Sequence, residues 1–119
     1  YKILNYSCFD MSIPETKKYH EDDIYFLIRI SEVEKELSFY RKSKGVWLDC
    51  FFSDWYSKKD IMSVINDEKT LCIVSPELHK RNHKDFWPKI KSWDLPWKSN
   101  KIMICTDHPF EARDFFGYE

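Results

Sequence analysis

The chain is expected to adopt an α/β fold made of parallel βα units, part of a barrel with a polar mouth. Two observations lead there. Short apolar runs alternate with stretches of helical periodicity from one end of the 119 residues to the other, the pattern of strands joined by right-handed helical crossovers in a parallel sheet. The apolar runs also end alike. Phe9 is followed by Asp10, Leu48 by Asp49, Val74-Ser75-Pro76 by Glu77 and Thr106 by Asp107, while the run from Phe26 meets Arg29. A parallel array gathers the carboxyl ends of its strands on one face, and that face carries the chemistry.

The elements follow in order. Strand one is expected over Ile3–Phe9, and Ser12-Ile13-Pro14 opens a short helix to Tyr19, with Pro14 tolerated in the first turn. Strand two, Ile24–Ile30, is almost continuously apolar, as a strand buried on both faces should be. Ser31 and Glu34 form a capping box for a helix to Lys42, with Val33, Leu37 and Tyr40 on one side. Strand three is Gly45–Cys50, and a helix covers Lys59–Asn66. Strand four is Thr70–Ser75. His83–Trp93 has helical spacing in Phe86, Ile90 and Trp93, and Asp94-Leu95-Pro96 breaks it. Strand five, Lys101–Thr106, precedes a final helix over Phe110–Phe116 that Pro109 starts.

No linker or low-complexity stretch divides the chain, so residues 1–119 read as a single domain. Five units are too few for an eight-stranded barrel of about 250 residues. They fit either an open five-stranded sheet or the C-terminal five-eighths of a barrel. The start at Tyr1 rather than Met suggests a fragment or processed product, in which a signal peptide would not be visible. Nineteen Lys and Arg against twenty Asp and Glu give a net charge of −1, which offers no bulk electrostatic case for nucleic acid. No apolar run approaches the ~18 residues of a membrane span. Cys8, Cys50, Cys72 and Cys105 have neither CxxC nor zinc spacing. They read as small buried apolar residues of a reducing compartment, and a cytoplasmic location is expected. Two glycines, Gly45 and Gly117, cannot build a Gly-rich phosphate loop.

The strand ends carry the candidate site. Arg29 is the one base among them, and a guanidinium holds a phosphate through two parallel hydrogen bonds. It reads either as the anchor of an anionic substrate or as a structural partner of Asp10 or Asp49. Asp49 and Glu77 read as acceptors of bonds from substrate hydroxyls or outer-shell partners of a metal, or else as helix caps or ion-pair partners; Asp107 reads as a cap of the final helix, which is compatible with lining the mouth. Strand alternation puts Trp47 and Gly45 on the side of Asp49, which makes Trp47 the first candidate for a pocket wall and Trp55 the next. Trp87 and Trp93 read as helix-to-sheet packing. Arg81 could reach over the mouth, and His108 could bond substrate. His79 and His83 are four apart but flank Lys80-Arg81-Asn82, and are expected in a surface loop rather than as metal ligands.

Asn5–Asp10, Ile28–Glu34, Gly45–Cys50, Leu71–His79 and Ile104–Pro109, in that order, resemble the back half of the phosphatidylinositol-phospholipase-C-like phosphodiesterases. The branch they look most like is the bacterial glycerophosphodiester phosphodiesterase-like proteins. The resemblance implies the C-terminal five βα units of a TIM (β/α)8 barrel and metal-assisted acid/base cleavage of a glycerophosphodiester or related phosphorylated headgroup. On it, this chain supplies substrate-side residues: Arg29, Trp47, Asp49, Glu77, Arg81, Asp107 and His108. Catalytic histidines and the ligands of a calcium or magnesium ion are expected in a preceding N-terminal part. Ser75-Pro76-Glu77 departs from the Thr-Val-Asn that the enzymes tend to carry there. The other expectation is a non-catalytic barrel protein that binds a phosphorylated or sugar-like ligand.

Overall fold

A computed structural model describes residues 27–33, 40–99 and 101–117. The first expected strand and helix, with Asp10, lie outside the described residues, as does the middle of the helix expected after Ser31. The architecture is α/β: a four-stranded parallel sheet and three α-helices among the described residues. The strands β1 (Leu27–Ile30), β2 (Gly45–Leu48), β3 (Thr70–Val74) and β4 (Ile102–Cys105) lie side by side in chain order. The helices are α1 (Lys58–Asn66), α2 (Phe86–Ser92) and α3 (Pro109–Phe116). No helix among the described residues is long and apolar enough to cross a membrane.

Register sorts the side chains into rows. Ile28, Val46, Leu71 and Ile102 are paired across the sheet, and so are Ile30, Leu48, Ile73 and Ile104. Both rows belong to the apolar core that Ile61 and Val64 of α1, Phe86 and Ile90 of α2, and Ala112 of α3 also join. Side chains alternate along a strand, so the row between them, Arg29, Trp47, Cys72 and Met103, belongs to the opposite face. All three described helices therefore cover the same face of the sheet.

Local chemistry sets the element ends. The Ser57 N–H donates to Asp60 Oδ2 at 2.8 Å, one half of a capping box, and starts α1. The regular helix begins at Phe86, and the stretch before it from His83 holds a single helical bond, from the Trp87 N–H to the His83 carbonyl at 3.0 Å. Pro88 has no N–H to bond the carbonyl four residues earlier, so the ladder cannot extend through Lys84. Ser31 behaves as a helix start would, its hydroxyl accepting the Val33 N–H at 3.1 Å. Gly45 is required by a close approach: a Cβ there would lie 2.0 Å from the Thr70 carbonyl oxygen and 2.8 Å from Leu27 Cδ2. Trp87 is buried, whereas Trp93 is only partly so and touches the core from its margin.

Candidate functional site

Parallel pairing in chain order brings four of the five expected strand-end charges to one edge of the sheet. Arg29 is the third residue of β1, and Asp49 directly follows β2. Glu77 lies in the 3-10 turn Pro76–His79 that follows β3, and Asp107 stands two residues beyond β4. These groups form two centres, one around Asp49 and one around Glu77.

Asp49 is 1 % exposed. Its Oδ1 accepts the Cys50 N–H at 2.9 Å and lies 2.5 Å from His79 Nε2. Its Oδ2 is 3.8 Å from Arg29 Nε. The Phe51 ring stands beside both partners, 4.4 Å from the His79 ring and 5.3 Å from the Arg29 guanidinium carbon. A buried carboxylate that holds a histidine fixes the ring's orientation, the arrangement that acid/base pairs use.

His79 is the functional candidate that the sequence reading put in a surface loop. The structure half-buries it and binds it to Asp49. The difference comes from Pro76. A proline two residues beyond the end of the strand opens a 3-10 turn, and the turn brings the residues that follow over the strand ends. Pro76 was the available signal, but only the sheet order shows that Asp49 is the partner within reach.

Glu77 is the second centre. Hydroxyl groups of Ser75 and Thr106 donate to its two oxygens, and the Asp107 N–H donates to Oε2 at 3.0 Å. Burial works to raise its pKa, but these donors outweigh it and hold the carboxyl below its ordinary value. The Trp87 indole N–H donates to Ser75 Oγ at 2.9 Å, which ties this centre to α2. His83 Nδ1 lies 3.9 Å from Glu77 Oε1, and the His83 ring is 4.5 Å from Trp87 and 5.0 Å from His108. His83 is thus part of the strand-end edge too, not of a free loop. Asp107 is exposed and His108 takes the N-cap position of α3, so the side chain of Asp107 does not cap that helix.

Arg81, a candidate to reach over the mouth, has both terminal nitrogens engaged within the protein. Nη1 donates to the Cys50 carbonyl at 2.9 Å and Nη2 to Asp54 Oδ1 at 2.8 Å. Burial alone would lower its pKa, and the Asp54 partner more than reverses that. Arg81 therefore pins the loop that follows β2. Trp55 has a similar duty: its indole N–H donates to the Asp49 carbonyl at 2.8 Å, and it packs against the helix-side core. Trp47 lies in the row opposite the helices, between Arg29 and Cys72.

Burial pushes the Cys50 thiol up to about 11 and the Cys72 thiol up to about 12, so neither offers a thiolate near neutral pH. Two cavities, of about 430 Å³ beside β4 and α3 and about 320 Å³ between β1, β2 and α1, contain neither Asp49 nor Glu77. Both are lined mainly by apolar side chains, whereas the polar groups converge at the strand ends. Compared with protein-family models, with curated proteins and with solved structures, the chain matches none of them.

Proposed function

We propose that this chain is part of a phosphodiester hydrolase built on the (β/α)8-barrel plan, acting on a glycerophosphodiester or related phosphorylated headgroup, and that it supplies substrate-side residues together with one acid/base histidine. The observation that carries the reading is the buried Asp49 with His79 and Arg29 around it at the carboxyl edge of a parallel sheet. Chain-order strands with all described helices on one face support the barrel plan, because a doubly wound sheet covers both faces. In this reading His79, oriented through Nε2, moves a proton at Nδ1 to or from the ester oxygen. Arg29 supplies positive charge for the phosphate beside it. Among the described residues no three His, Cys, Asp or Glu side chains are placed to hold a metal ion; on this reading the ligands of the calcium or magnesium that the resemblance implies would come from a preceding part of the protein.

The second reading, a non-catalytic barrel protein for a phosphorylated or sugar-like ligand, is favoured by one fact. Both oxygens of Glu77 and two donors of Arg81 are already bonded within the protein. The test uses bis(p-nitrophenyl) phosphate as a probe of diester cleavage by the longest protein that carries this chain. His79→Gln should lower the rate about a hundredfold or more, the usual contribution of a positioned acid or base. An unchanged rate defeats the hydrolase reading. Calorimetric binding of glycerol phosphate without turnover supports the second.

A further inference from the structure

We propose that Glu32 is a positioning residue for the Asp49–His79 pair, acting through the loop after β2; the role rests on the functional reading above. Glu32 stands two residues beyond the end of β1, and its side chain reaches across to the neighbouring strand's loop. Three successive backbone N–H groups converge on its carboxylate. Phe51 donates to Oε1 at 2.7 Å, and Phe52 and Ser53 donate to Oε2 at 3.1 and 3.0 Å. Ser53 Oγ adds a longer bond at 3.4 Å. Consecutive N–H groups aimed at one point form an anion-binding nest, and bonds to an ionised acceptor are the strong kind.

Packing does not hold the outer part of this loop. Phe52 is 75 % exposed, and Ser53 is exposed as well. Its start is tied elsewhere, at Asp49 by the Trp55 indole and at Cys50 by Arg81. From Phe51 to Ser53 the described restraint on the backbone is Glu32. Phe51 is the residue whose ring stands against both His79 and Arg29. The nest therefore fixes the wall against which Asp49's two partners rest. Losing the carboxylate leaves three donors without it and frees Phe51 to leave His79.

The experiment follows the ring protons of His79 by NMR in the longest protein that carries this chain, with melting temperature recorded beside it. In Glu32→Gln the His79 ring-proton shifts should move from their wild-type values, because the Phe51 ring is no longer held beside them. The close contact between Phe51 and His79 protons should weaken. Adding formate to Glu32→Ala should restore both signals, while chloride at equal ionic strength should not. A purely structural role would lower the melting temperature but leave the His79 ring-proton shifts as in the wild type while the protein stays folded. That result overturns the proposal, as does a Phe51–His79 contact that survives in Glu32→Gln. The readout is independent of turnover. If Glu32 variants move His79 while His79→Gln hydrolyses normally, the positioning stands and the hydrolase reading falls.

Discussion

Glu77 illustrates how a single side chain joins parts of the edge that are distant in sequence. It accepts bonds from Ser75, Thr106 and the Asp107 backbone, so β3's turn and the end of β4 share one carboxylate. Its pKa is lowered from the ordinary 4.5 because these bonds favour the charged form. A carboxyl with a lower pKa folded than unfolded binds fewer protons in the folded state, and so adds stability above the unfolded value. That contribution is complete above about pH 4.5 and fades as pH falls through the lower folded value. Glu32, lowered against burial by its nest of N–H groups, acts in the same direction. Glu77→Gln should therefore flatten the acid limb of a melting-temperature profile and lower the plateau near neutrality. A mutant profile parallel to the wild type down to pH 3 would show that Glu77 contributes nothing through its charge.

At the scale of elements, pairing depends on what fits between strands. Gly45 starts β2 where the Thr70 carbonyl leaves no room for a Cβ, whereas Gly117 ends α3 at a φ of 68° with open space around it. The two glycines are present for different reasons, and alanine should separate them. Gly45→Ala must push β2 from β3, and should cost about 3 kcal/mol, the upper end for overpacking. Gly117→Ala meets only the left-handed backbone penalty, about 1 kcal/mol. Urea denaturation of both variants checks the order, and equal losses would mean that the sheet relaxes around the new methyl group. The same scale explains why α2 begins late, at Pro88's limit, and why Trp87 rather than Trp93 is the buried indole.

For the whole molecule, what matters is that the described helices all cover one face of the sheet. The other face carries Arg29, Trp47, Cys72 and Met103 in one row, and Met103 is 46 % exposed. On the barrel plan proposed above, further strands would continue the sheet beyond β4 and enclose that row. Exposed strand edges invite association. The 119-residue chain should then self-associate with concentration in sedimentation experiments, and a protein extended by the upstream units should stay monomeric and melt higher. A chain that remains monomeric across concentrations and melts cooperatively would favour an open sheet complete in itself.

The amino-acid sequence alone determined the strands of the described region nearly to the residue, because each is a short apolar run closed by a polar or charged group. It also determined that Arg29, Asp49, Glu77 and Asp107 share an edge, since parallel βα order leaves the carboxyl ends no other place. Only the tertiary structure decided who partners whom. His79 reaches Asp49 across 30 positions, Glu77 reaches Thr106 across 29, and Arg81 is drawn to Asp54 and the Cys50 carbonyl rather than over an open mouth. Glu32 is the clearest case: beside Ser31 it reads as part of a helix start, yet its carboxylate serves the next strand's loop. The physical reason is common to all of them. Periodicity and chain breaks are local and survive in one dimension, whereas a hydrogen bond between loops exists only once the sheet has set the distance between its strands.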